Sequence, residues 1–115
     1  MLIRKIPKAA KEGGRFKSQR HLRHVREHAC VNCDASVNIE AAHVRLGSDG
    51  GMGRKPSDYY AVALCGGAAG CHARQHQMGE ASFWAEVGKD PQTVIAEFVR
   101  TSPVRREIER HRNGG

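Results

Sequence analysis

A chain of 115 residues has room for one domain, and at that size surface outweighs interior, so only a modest apolar core can form. One Trp, two Tyr and three Phe are few large side chains to fill it, thirteen glycines add unfolded-chain entropy, and no run approaches the roughly 20 apolar residues that cross a bilayer. The net charge of +7 lies wholly in the first 29 residues, where nine Lys and Arg face two Glu, while the remaining chain carries ten basic and ten acidic residues.

Residues 1–17 hold Pro7, Gly13, Gly14 and scattered lysines with no sustained period, and are expected to be a flexible basic arm. Such an arm suits a polyanion, because each cation that neutralises a phosphate releases condensed counterions. Residues 18–115 are read as a single α+β domain. Leu22 and Val25 recur at helical spacing between Ser18 and His28, which predicts a short basic helix with a thin apolar face. Cys30-Val31-Asn32-Cys33 makes a tight knuckle. Val37, Ile39, Ala41 and His43 then alternate, predicting a strand that ends between His43 and Arg45 with the imidazole on the face of the apolar residues before it.

A glycine-rich loop, Gly47 to Gly53, is closed by Arg54-Lys55-Pro56-Ser57-Asp58, and Tyr60, Val62 and Leu64 alternate into Cys65 as a second strand of a hairpin. Gly66 to Gly70 bulges out before a short helix from Cys71 to Gly79, which completes a β-β-α order. Phe83, Trp84 and Val87 suggest a further short helix. Asp90-Pro91 is an N-cap followed by proline at the first helical position, with Val94, Ile95, Phe98 and Val99 as one apolar stripe. Pro103 breaks the pattern, and Val104 to His111 reads as a last, charged helix, so additional C-terminal helices occupy about residues 81–112. Trp84 and Phe98 are read as core.

The chain lacks an apolar leader behind Met1 and is read as soluble and cytoplasmic, a compartment in which Cys-x-x-Cys pairs bind metal more often than they form disulfides. Cys30, Cys33, Cys65 and Cys71 form two clips about thirty residues apart. Four thiolates would give the closed tetrahedral site of a structural Zn²⁺, which leaves no position for substrate. The five-residue gap between Cys65 and Cys71 also leaves open a mixed site that includes His72, or disulfides. His72 and His76 are four residues apart, hence on one face of a helix, and make a half-site for a divalent metal with positions open to water and phosphate. His43 is suited to taking a proton from water near neutral pH. Asp58, fifteen residues on and just before the second strand, can return across the hairpin to orient it.

Ala42-His43-Val44-Arg45, then Gly50 to Asp58, then Leu64-Cys65 and Cys71-His72, resemble the HNH family of ββα-metal (His-Me finger) nucleases over about residues 28–85, and are most similar to small phage and prophage members such as the recombination-enhancement nuclease group. The resemblance implies a zinc-stapled ββα-metal core with His43 as general base, Asp58 in the position of the family's Asn, and His72 and His76 as ligands of a catalytic Mg²⁺ or Mn²⁺. It implies hydrolysis of DNA phosphodiesters, with Arg45, Arg54, Lys55 and Arg74 as phosphate contacts. Many members carry a metal ligand just before the catalytic histidine, where this chain has Ala42. The resemblance leaves open whether a recombinase or other host factor takes part. Two rival readings remain: a non-catalytic zinc-containing DNA-binding module, and a structural zinc domain that binds protein. No base-reading element is evident, so little sequence specificity is expected.

Overall fold

A computed structural model of the chain describes residues 14–51 and 53–114. The expectation of a flexible arm over residues 1–13 lies outside them. The described elements are α1 (Gln19–Arg26), β1 (Ile39–His43), a 3-10 turn (Asp58–Tyr60), β2 (Ala61–Cys65), α2 (Cys71–Met78), α3 (Glu80–Val87), α4 (Pro91–Arg100) and α5 (Arg105–Arg112). Strands β1 and β2 pair antiparallel in a small hairpin, with Ile39 opposite Cys65, Ala41 opposite Ala63 and His43 opposite Ala61.

The hairpin has two unlike faces, and their order corrects the expected one. Ala42 and, just beyond the strand, Val44 are fully buried, whereas Ile39, Ala41 and His43 are only half-buried and Val37 is 74% exposed. The histidine does share a face with Ile39 and Ala41, but that face borders an open cleft. In β2 the expected alternation gives way to continuous burial from Ala61 to Leu64, and Tyr60 belongs to the 3-10 turn. Alanines at 41, 61 and 63 keep the cleft-side face low, which lets α2 lie close to β2. Val62 and Leu64 join Val25 of α1 and Ile95, Phe98 and Val99 of α4 in one apolar core.

Capping explains where the helices begin and end. Ser18 Oγ accepts from the His21 backbone N–H at 3.1 Å at the start of α1, and Asp90 Oδ1 accepts from Gln92 N–H at 3.1 Å at the start of α4, with Pro91 following it. At the start of α2, a Cβ on Gly70 would lie 2.2 Å from the Gly66 carbonyl oxygen, so the close return of the chain there requires glycine. Gly79, at φ +89°, ends α2 and opens α3. Trp84 and Phe98 are buried as expected, and Trp84 Nε1 donates to Gln75 Oε1 at 2.8 Å, tying α3 to α2.

The inner face of α1 differs from the predicted Leu22 and Val25 pair. It is built from Val25 and His21, with Leu22 half-buried. His21 Nδ1 meets Ser102 Oγ at 2.9 Å and His24 Nε2 meets Thr101 Oγ1 at 2.9 Å, so α1 is fastened to the turn between α4 and α5. Burial away from water, with the neighbouring His24 adding to it against a smaller opposing pull from Asp58, holds the His21 imidazole down to about 4.

Residues 15–17, read from sequence as the end of a flexible arm, are pinned. Phe16 N–H donates to Ser57 Oγ at 2.9 Å, Asp58 N–H donates to the Phe16 carbonyl at 2.9 Å, and Arg15 Nε donates to the Pro56 carbonyl at 3.0 Å. Composition shows charge and glycine there; the order comes from partners about forty residues away.

Candidate functional site

The four cysteine sulfurs converge where the knuckle at 30–33 meets the end of β2 and the start of α2, with all four Sγ atoms within 4.8 Å of one another. All four are free thiols. Around a tetrahedral ion with bonds near 2.3 Å, sulfurs sit about 3.8 Å apart, and Cys33 and Cys65 Sγ are 3.7 Å apart. Donors already point at the sulfurs: Cys71 N–H to Cys65 Sγ at 3.3 Å, Cys33 N–H to Cys30 Sγ at 3.5 Å, and Asn32 Nδ2 to Cys71 Sγ at 3.4 Å. Burial pushes the Cys30 thiol up, but backbone N–H groups of Cys33, Cys65 and Asn32 outweigh it and bring it down to about 7. Cys71, with burial dominant, is pushed up to about 12. The donor set and its spacing fit a metal ion such as zinc, and the group is made of cysteines alone.

His72, next to Cys71, turns into the cleft. Its Nε2 lies 3.3 Å from His76 Nε2, within the roughly 3.0–3.4 Å that separates neighbouring nitrogens around one ion at bonds near 2.1 Å. Its Nδ1 is bonded to Glu40 Oε1 at 2.6 Å. A carboxylate on one ring nitrogen fixes the tautomer and leaves the other nitrogen's lone pair for a metal. Gly66 makes that contact possible, since a Cβ there would stand 2.4 Å from Glu40 Oε2. Among the described residues the cysteine cluster alone brings three or more His, Cys, Asp or Glu ligand atoms within 4.8 Å. The histidine half-site therefore offers two imidazoles, with Glu40 behind one of them.

His43 ends β1, and Asp58 opens the 3-10 turn that leads into its partner strand. This register brings His43 Nε2 to 2.9 Å from Asp58 Oδ1. Asp58 is 3% exposed and also accepts from the Ser18 N–H at 2.8 Å and from Arg15 Nη2 at 3.1 Å. Burial alone would raise its carboxyl, but the bonds from His43 and Ser18 and the charges of His43 and Arg15 prevail and hold it below the usual carboxylate range. An ionised carboxylate only accepts, so the hydrogen shared by the pair lies on His43 Nε2.

His43, His72 and His76 line one cleft of about 420 Å³ with Ala41, Arg45, Lys55, Pro56 and Glu80. The cleft wall is braced by Glu80, whose carboxylate accepts from Arg45 N–H at 2.8 Å and Leu46 N–H at 2.7 Å. The Arg45 guanidinium is partly committed, donating to the Arg54 carbonyl at 2.8 Å and to the Gly51 carbonyl at 3.3 Å. The other two expected phosphate contacts, Arg54 and Arg74, do not line the cleft. Arg74 pairs with Glu86 at 3.0 Å, outside the cleft lining, and Arg54 meets the site through its carbonyl. Arg15, Glu40 and Glu80 were not anticipated. A lone acid inside an apolar alternation, three residues before His43, was the one local signal for Glu40.

Among the described residues no helix is long and apolar enough to cross a membrane. Comparison with family models, curated proteins and solved structures gave no match, so the reading of the site rests on its residues and their geometry.

Proposed function

We propose that this chain is a metal-dependent DNA endonuclease whose ββα-metal core is β1, β2 and α2, acting in phage or prophage recombination or DNA processing. The observation that carries the reading is the convergence on one cleft of an oriented base and a paired-imidazole half-site, beside Arg45 and Lys55. The same fit supports His72 and His76 as holders of Mg²⁺ or Mn²⁺, which when bound would polarise a phosphate oxygen and stabilise the leaving oxygen. His43 Nδ1 takes the proton of the attacking water, and Asp58 stabilises the imidazolium that forms. Lys55 and the remaining donors of Arg45 hold the phosphate. The cysteine cluster, a closed shell if zinc fills it, supports the frame and takes no part in the chemistry.

The test is to incubate supercoiled plasmid and single-stranded DNA with purified protein, in Mg²⁺, Mn²⁺ or chelator, beside His43→Ala, with zinc content measured in each sample. Cleavage is expected with either metal and should fall by about a hundredfold or more in His43→Ala, the range that a general base contributes. If both proteins bind DNA equally and neither cuts with any metal, the enzyme reading fails and the non-catalytic DNA-binding module replaces it.

A further inference from the structure

We infer that Arg15 is a positioning residue for the His43 base, so that the segment 15–18 belongs to the active site and not to the charged arm that precedes it. The inference rests on the nuclease reading for its chemistry and on geometry for its content. Arg15 Nη2 and His43 Nε2 share one oxygen, Asp58 Oδ1, at 3.1 Å and 2.9 Å, while Asp58 Oδ2 accepts the Ser18 N–H at 2.8 Å. Arg15 cannot swing away freely, because its Nε is also bonded to the Pro56 carbonyl at 3.0 Å and the following residue, Phe16, donates its N–H to Ser57 Oγ and accepts the Asp58 N–H at its carbonyl.

Three donors on a carboxylate that is 3% exposed have a definite consequence. Without a cation, a buried Asp58 could share a proton with the imidazole, and the histidine could reverse its tautomer to place the lone pair on Nε2 and the hydrogen on Nδ1. The Arg15 guanidinium, charged at every accessible pH, keeps Asp58 an acceptor only. It thereby favours the tautomer that carries the hydrogen on His43 Nε2 and the lone pair on Nδ1. The conventional reading of an Arg in a basic segment is a DNA contact, but its side chain is 21% exposed and its Nε and Nη2 donate to Pro56 and Asp58.

The experiment compares wild type, Arg15→Gln and Arg15→Lys in the full chain by two readouts. Long-range ¹H–¹⁵N spectra report the His43 tautomer, and steady-state cleavage of supercoiled plasmid in Mn²⁺ reports kcat and KM. Wild type should show the proton on Nε2. Arg15→Gln should lose that preference, with kcat down by about tenfold to a hundredfold and KM within about twofold, a fraction of what the base itself contributes. Arg15→Lys keeps the charge and should keep the tautomer and most of kcat. If Arg15→Gln leaves both tautomer and kcat unchanged while wild type cleaves, the positioning role is overturned and the nuclease reading stands. If the tautomer changes in Arg15→Gln but wild type does not cleave, positioning stands and the nuclease reading falls. Should Arg15→Gln fail to fold, the lysine variant decides: loss of the Nε2 proton with the cation retained overturns the proposal.

Discussion

The cysteine knuckle and the histidine cleft lie on either side of the Cys71–His72 peptide, yet they are built to opposite rules. The knuckle converges four identical donors within 4.8 Å, half of them buried, and surrounds its sulfurs with N–H donors. The cleft brings two imidazole nitrogens to 3.3 Å, leaves His76 exposed, and sets a carboxylate behind His72 and another behind His43. A closed shell holds a fold; an open one can admit a phosphate. With the first directly beside the second, a metal in the knuckle would stiffen the helix that carries His72 and His76, the proposed ligands of another.

The sharpest way to break that comparison is to open the knuckle. A structural zinc supplies about 10 kcal/mol of apparent folding free energy, comparable with the whole stability of a small domain. Cys30→Ser or Cys71→Ser should therefore lose both zinc and the folded circular dichroism spectrum. His76→Ala, at an exposed position, should keep both, with stability changed by about 0.5 kcal/mol or less. A Cys30→Ser protein that remained folded without metal would show that the apolar core suffices, and the division between the two sites would collapse.

The contrast also bears on what could be seen in advance. The knuckle, the α2 histidines and the His43–Asp58 pair were legible because short-range geometry fixes them: i and i+4 share a helix face, and a hairpin register that sets His43 opposite Ala61 necessarily brings residue 58 near the strand end. Arg15 and Glu40 were not, since their partners are Asp58 and His72, 43 and 32 residues away; the lone acid in the β1 alternation marks Glu40 as unusual but does not point to His72. The resemblance implies Arg74 as a phosphate contact, and in the structure its guanidinium pairs with Glu86 of α3. His21 carries no mark of burial in the sequence, because it stands in a polar run. Only the packing of α1 against the Ser102 turn shows it.

Acid should attack knuckle and core together, and His21 separates the two. Its folded value of about 4 lies below the unfolded 6.5, so the unfolded state binds more protons between these values. The stability it contributes is present in full above pH 6.5 and is lost as pH falls toward 4. At 1.36 kcal/mol per pH unit the loss is about 3 kcal/mol. Urea unfolding across this window should show that slope, and His21→Gln should flatten it while leaving any zinc release to follow thiolate protonation. A slope identical in His21→Gln would assign the acid sensitivity to the knuckle alone.

The smallest effect concerns how well the open site is prepared. Glu40 meets His72 Nδ1 at 2.6 Å, yet its side chain is 47% exposed, and an exposed pair of that kind by itself contributes about 1 kcal/mol or less. If its purpose is instead to aim Nε2 at a metal, its removal should be felt in metal affinity more than in stability. Partners in that position are worth 10- to 100-fold in metal binding, about 1.4–2.7 kcal/mol. Calorimetric Mn²⁺ titration should then show a loss in that range for Glu40→Ala, with the unfolding midpoint nearly unmoved and with His72→Ala abolishing binding. Gly66→Ala provides an independent route to the same outcome, because its methyl group would collide with the Glu40 carboxylate and push it aside while leaving residue 40 unchanged. Wild-type Mn²⁺ affinity in both Glu40→Ala and Gly66→Ala would mean that the cleft's ligand is aimed by its helix alone, and that the carboxylate behind it is an ordinary surface pair.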